Sequence, residues 1–252
     1  MIYNIVIPYF AAGAQGRELE YAVEGWRRYF RHMNHIVIIG DYHPISDSGP
    51  DIEYYPCDRV ADIPGQYRPH LDMAHKMLTF MNAHPDVKEF IWVADDCYPV
   101  NCFGIEEIQL LKCMPNSLRS FEKGAGTTCE EFRRDKLKTM AFLQAHGCAI
   151  RNYTTHLPRF YNSERLESII KEVDATHNSY VIEDLYYNIL FPERLSVKLN
   201  KETDIFKFGA YNAHVTEEEL RKALKEKIWI TNSNKGFTPT LVKVLEEHFF
   251  GK

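Results

Sequence analysis

Glu89-Phe-Ile-Trp-Val-Ala94, followed at once by Asp95-Asp96, is the stretch on which the reading of this chain turns. A short apolar run rich in aromatic and β-branched residues reads as a buried strand. Two adjacent carboxylates then close it. Acids abutting so apolar a segment are costly unless something uses them, whether a bound cation or the cap of the next turn.

Working outward, the residues before this strand alternate between strand and helix. Ile2–Pro8 and His35–Gly40 are apolar runs of strand character, and Asp51–Pro56 is a shorter third. Between Arg17 and His32, the residues Leu19, Ala22, Val23, Trp26 and Phe30 recur at helical spacing. Leu71, Ala74, Leu78 and Met81 mark a second helix that stops before Pro85. This βαβ order implies an α/β architecture, a Rossmann-like, mainly parallel sheet flanked by helices. Ligands of such sheets sit at the carboxyl ends of the strands. Pro8–Gly16, Gly40–Tyr42 and Asp95–Tyr98 should therefore share one rim.

The second half is less regular. Asn116–Thr128, broken by glycines at 124 and 126, reads as a mobile loop. Glu130–His146 reads as a helix with Leu137, Met140 and Ala141 inward, and its run Arg133-Arg134-Asp-Lys136-Leu-Lys138 as a solvated face. Leu166, Ile169, Ile170 and Val173 define another helix, and Val181–Leu190 a further one. Thr216 with Glu219 forms a capping box. Trp229-Ile230 is a short strand, and Thr238-Pro239 opens a final helix as N-cap and N1. With no repeat and no low-complexity linker, the expectation is a single domain over residues 1–252.

Composition narrows the classes. A net charge of −5 disfavours a protein whose affinity comes mainly from nucleic-acid phosphates. Six cysteines without a C-x-x-C pair suit free thiols in a reducing compartment. No apolar run approaches the ~18 residues needed to span a bilayer, and no signal-peptide pattern opens the chain. A soluble, cytoplasmic protein is expected.

Several residue groups carry candidate chemistry. Asp95 and Asp96 offer the carboxylate oxygens that Mg²⁺ or Mn²⁺ prefers. In the first turn, Pro8-Tyr9-Phe10 with Gly13, Gly16 and Arg17 could stack a base and meet phosphate at a helix N-terminus. It is not a G-x-G-x-x-G pattern, so a dinucleotide reading is poor. Glu183-Asp184 could supply a general base, or could simply serve the dipole of the helix they open. His156 and His214 are candidate third metal ligands or substrate contacts.

Four stretches taken together resemble GT-A-type glycosyltransferases, in particular compact bacterial and bacteriophage enzymes that share segments with Stealth-type capsular sugar-phosphate transferases. They are Arg17-Glu-Leu-Glu-Tyr-Ala22 with Ile36–Asp41, Phe90–Asp96, Leu143…Gly147…Asn152–Asn162, and Trp229–Asn234 with Thr238–Phe249. The resemblance implies a GT-A-like fold and a nucleoside diphosphate sugar donor held with Mn²⁺ or Mg²⁺. It implies Asp96 as the firmer metal ligand, with Asp95 nearer the ribose or sugar, because Ala94 stands at the first position of the usual Asp-x-Asp. Pro8, Tyr9, Arg17, Asp41, Arg68 and Asp95 would contact the donor. His156 would face the acceptor or the metal, His214 would be a further metal ligand, and Asp184 or Glu183 would be the base if the reaction inverts. Residues 1–100 would form the donor half and 101–252 the acceptor half. The acceptor would be a surface glycan or a hydroxymethylated pyrimidine of phage DNA, which the basic run 133–138 and the loop 116–128 would bind. The rival readings are a sugar-1-phosphate transferase and an inactive nucleotide-sugar- or glycan-binding module.

Overall fold

The computed structural model describes residues 1–60, 68–124, 129–191, 196–200, 203–208 and 215–251. Its first half follows the expected alternation: β1 (Tyr3–Tyr9), α1 (Glu18–Tyr29), β2 (Met33–Gly40), β3 (Ile52–Pro56), α2 (Pro69–Ala83) and β4 (Glu89–Trp92). The next stretch comprises β5 (Cys97–Pro99), α3 (Ile105–Gln109), β6 (Lys112–Cys113), α4 (Glu130–Ala145) and β7 (Arg159–Asn162). It is followed by α5 (Ser163–Glu172), α6 (Ile182–Leu190), β8 (Val197–Lys198) and β9 (Ile205–Phe208). The chain closes with α7 (Glu217–Glu226), β10 (Trp229–Asn232) and α8 (Pro239–Phe250).

The central sheet has the order β3-β2-β1-β4-β7. Its first four strands are parallel, and β7 joins β4 antiparallel. Side-chain alternation divides this sheet into two faces. Val6, Val37, Ile39, Phe90 and Trp92 pack with α2, α4, α5 and α6 on one side. Ile5, Ile7, Ile36, Ile38 and Ile91 pack on the other, against Trp26 of α1, Phe30 just after it and Trp229 of β10. Parallel strands covered on both faces read as continuous apolar runs, which is why they were legible.

A second, three-stranded sheet, β5-β10-β9, was not expected. β5 follows Asp95-Asp96 directly and pairs antiparallel with β10, which pairs parallel with β9. These strands are three or four residues long, too short for an alternating pattern to register. Their outer side packs under α7 and α8 through Tyr98, Ile230, Leu220, Leu241 and Leu245. The helix starts read from the sequence are present: Thr216 and Glu219 form the capping box, and Thr238 accepts a hydrogen bond from Leu241 N ahead of Pro239.

Two expectations for the second half are corrected. Within the segment read as a mobile loop, Leu118–Lys123 forms a 3₁₀ helix whose Leu118 and Phe121 are buried; residues 125–128 lie outside the described part. The basic run on α4 is not a solvated face. Lys136 is fully buried and Asp135 nearly so, whereas Ala141 points to solvent and Leu137 is only half-buried. Arg133 donates to Phe121 O at 2.8 Å, and Lys138 donates to Asn178 at 3.1 Å. The buried Asp184 carboxylate draws Lys136 inward, and Arg133 and Lys138 are taken up by a backbone carbonyl and an amide, so of the run's cations only Arg134 stays exposed. The charge pattern alone could not reveal that. The run therefore offers no continuous basic surface for DNA.

Candidate active site at the carboxyl rim of the sheet

The registers of the parallel strands place the candidate residues in a row. Tyr9 at the end of β1 faces Gly40 at the end of β2, and Val6 faces Trp92 of β4. Gly40 has φ 133°, and a Cβ there would lie 2.1 Å from Tyr9 O. Only glycine permits that approach. It lets Asp41 N reach Tyr9 O at 3.2 Å, while the Asp41 carboxylate accepts from Ala11 N at 2.8 Å. Asp41 thus fastens the β1–α1 turn. Pro8 is half-buried, Tyr9 is buried with its ring edge-on to His43, and Arg68 stands half-buried ahead of Pro69 at the start of α2.

Asp95 and Asp96 leave the end of β4 in a turn closed by Cys97 N to Ala94 O. Both are half-buried. Removal from water, each other's charge and the nearby Glu18 carboxylate push Asp95 up to about 8. Burial and Glu18 likewise push Asp96 up to about 7. Asp96 Oδ1 is enclosed and makes no hydrogen bond among the described residues. An orphan carboxylate oxygen beside a second acid is a costly arrangement for a protein to keep. It suits a cationic ligand.

The second sheet brings Lys207 and Asn232 here, and α1 brings Glu18, roles that sequence reasoning missed. Across β5, β10 and β9 the register aligns Cys97, Thr231 and Lys207. Lys207 lies near enough for its charge to favour ionised Asp96. Asn232 accepts from the Tyr98 hydroxyl at 2.6 Å and donates to Glu18 Oε1 at 2.6 Å, and Glu18 Oε2 accepts from Gln15 N. Glu18 and Asn232 thereby tie the glycine-rich turn to the second sheet. A glutamate in the first turn of a helix just after Gly16 was a signal available for Glu18. Lys207 had none.

His156 arrives from the other direction. Because β7 runs antiparallel to β4, its start meets the end of β4, with Arg159 opposite Trp92. His156, three residues before Arg159, therefore stands at the same rim. It is exposed to solvent yet closely surrounded on its other sides, with φ 64°. That enclosure, aided by the charges of Lys207, Lys136 and Arg159, holds its imidazole well below the usual range. His156 is therefore neutral near pH 7. A non-glycine residue in the left-handed region at a site is strain of the kind that marks function.

The remaining candidates stand apart from this row. Arg17 does not point at the rim. Its guanidinium pairs with Glu20 and with Glu246 of α8 and covers the Phe250 ring. Asp184 is fully buried in the first turn of α6, accepting from Lys136 Nζ at 2.5 Å and Tyr153 N at 2.6 Å. Lys136 also donates to Asn152 and Thr154, so this pair anchors the segment that leads to His156. Glu183 is half-buried, with Oε2 unpartnered among the described residues. His214 lies outside the described residues. Among those residues no group of three or more His, Cys, Asp or Glu side chains forms a ready-made metal cage. The six cysteines are free, and no described helix is long and apolar enough to cross a membrane.

No protein-family model and no curated protein sequence matches this chain. Solved structures do. The glycosyltransferase GlyE of Streptococcus pneumoniae TIGR4 aligns with a TM-score of 0.50 at 14% identity, over 99% of this chain and 60% of that one. A glycosyltransferase involved in glycosylation of the major capsid of PBCV-1 aligns at 0.41 and 11%, over 98% and 99%. Mouse xyloside xylosyltransferase 1 aligns at 0.48 and 10%, over 95% and 100%. Of these three, the GlyE alignment alone is close enough to bear on the fold, and the chain spans about 60% of that structure's length. What is shared at this identity is architecture: the chain has the mainly parallel α/β fold of the GT-A type.

Proposed function

We propose that this chain is a glycosyltransferase that moves a sugar from a nucleoside diphosphate sugar to a hydroxyl of a glycan acceptor. The observation that carries this reading is the Asp95-Asp96 pair at the carboxyl rim, with one Asp96 oxygen buried and unpartnered, in a fold shared with GlyE. Residues 1–100 would supply most of the donor side and residues 101–252 the acceptor side. Tyr9, Asp41 and Arg68 flank the place where a nucleotide would lie.

Two carboxylates raised by burial, and by the negative charge around them, fit a divalent cation, whose charge would remove their cost. Asp96 and Asp95 would hold Mn²⁺ or Mg²⁺, with phosphate oxygens and water completing the shell. When bound, the cation neutralises the charge that grows on the departing diphosphate. Lys207 adds fixed positive charge on the same side. Neutral His156 would accept a hydrogen bond from the acceptor hydroxyl and orient it. Asp184, spent on Lys136, serves that loop's position. Glu183 has an unpartnered carboxylate oxygen among the described residues but stands apart from the rim row, so it would serve as base in an inverting reaction only if the acceptor hydroxyl reached the start of α6.

The test is donor turnover by the whole chain against a panel of nucleoside diphosphate sugars with Mn²⁺ or Mg²⁺. Release of the nucleoside diphosphate is expected, and Asp96→Ala should lower it at least a hundredfold, as expected when preorganised charge stabilisation is lost. Full turnover in Asp96→Ala would overturn the assignment. Release of the monophosphate would instead mark a sugar-1-phosphate transferase. Donor binding without turnover under any metal would mark a binding module.

A further inference from the structure

At the other end of β4 lies a cavity of about 390 Å³ that the transfer reaction does not use. Glu89 opens β4 and Asp95 follows its end. The two are at most about 20 Å apart, taking ~3.3 Å per extended residue. The cavity is lined by the start of β4 and by Phe160 and Asn162 of β7, the edge strand paired with it.

Its walls combine two kinds of surface. Phe160 and Phe191, both half-buried, supply the aromatic surface, while Tyr187 is buried behind them with its ring stacked against Phe191 at 6.2 Å between centroids and against Tyr161 at 5.8 Å. Glu89, Gln109 and Arg165 supply polar ends. Among the described residues, the Glu89 and Arg165 side chains form no ion pair or hydrogen bond, with each other or with anything else, although they line one cavity. The Tyr186 hydroxyl accepts from Asn162 N at 2.9 Å, which leaves its own proton to donate.

This set selects a class of ligand. One carboxylate and one guanidinium leave no net charge, so a phosphate or a polyanion would meet Glu89 unfavourably. Flat aromatic faces with electron-rich centres pack against the C–H faces of a pyranose ring. Carboxylate, amide and guanidinium groups give the mix of acceptors and paired donors that vicinal hydroxyls need. A volume near the lower end of ordinary ligand pockets holds one or two sugar rings.

We propose that this cavity is a saccharide-binding site, separate from the donor site, that takes a neutral mono- or disaccharide unit. Its use as an anchor for a distal unit of the acceptor glycan rests on the transferase reading; saccharide binding itself does not. Holding the acceptor at a second point would raise its effective concentration at the rim.

The test titrates the whole protein with the methyl glycosides of glucose, galactose, mannose and N-acetylglucosamine, and with lactose and maltose. Saturation-transfer NMR and calorimetry read the binding. At least one of these should bind, and Glu89→Gln and Arg165→Ala should each weaken it about tenfold or more, the loss expected for a charge-assisted hydrogen bond. Saturating UDP with Mn²⁺ should leave the affinity unchanged. The proposal falls if none of the six binds, if both variants bind as the parent does, if UDP competes, or if free glycine takes the pocket instead. Donor turnover in the two variants should equal the parent's. Lost saccharide binding alongside intact turnover confirms the separation, whereas a chain that binds saccharide but turns over no donor refutes only the transferase reading.

Discussion

Lys136 Nζ lies 2.5 Å from Asp184 Oδ2, and neither side chain reaches solvent. The pair joins α4 to α6 and, through Asn152, Thr154 and Tyr153 N, holds the segment that ends at His156. Removing one partner strands a buried charge. Lys136→Met and Asp184→Leu should each cost about 3–5 kcal/mol in urea denaturation. The double variant should recover most of that loss, because an apolar pair replaces the ionic one. Equal losses in single and double variants would show that the two charges do not depend on each other.

The raised carboxyls at the rim set a pH dependence. From about pH 4 up to the values near 7 and 8, the folded chain keeps protons at Asp96 and Asp95 that the unfolded chain gives up. Their contribution to stability is therefore complete at low pH and is lost as pH rises through that window. Asp96→Asn removes one of these charges. Its gain in melting temperature over the parent should be small at pH 5 and larger at pH 8. A gain independent of pH would contradict the raised values.

Cation binding should show the matching proton linkage. Mn²⁺ with a nucleoside diphosphate needs both carboxylates ionised, so its affinity should weaken as pH falls below about 8 and more steeply below about 7, with proton release visible by calorimetry in buffers of different ionisation enthalpy. An affinity that stays flat from pH 6 to 8 would place the ligand elsewhere.

His156 combines an unfavourable backbone conformation with a rim position. His156→Gly relieves the left-handed strain while raising unfolded-chain entropy, so stability should stay within about 1 kcal/mol of the parent. Turnover should fall at least tenfold if the imidazole orients the acceptor. Unchanged turnover would reduce His156 to a turn residue.

Gly40→Ala tests the close approach at the rim. A methyl group aimed 2.1 Å from Tyr9 O forces apart the ends of β1 and β2. A loss of about 3 kcal/mol or more is expected, at the upper end for backbone strain. Near-neutral thermal stability in the variant would mean that the strand ends can part cheaply.

The sequence by itself determined the framework. Continuous apolar strands, amphipathic helices and the Thr216 and Thr238 caps are local patterns, and they lie where they were read. The parallel order then put Tyr9, Gly40 and Asp95 on one rim, because strand ends in such a sheet share a side. Tertiary structure alone decided which charged groups are free to do chemistry. Arg17 is drawn off by Glu246, Lys136 and Asp184 neutralise each other, and Glu18 meets Asn232 across 214 residues. The short strands β5, β9 and β10 that bring Lys207 beside Asp96 have too few residues to show a period. Side-chain partners separated by tens to hundreds of positions leave no mark on local spacing, so their pairing became visible only once the chain was folded.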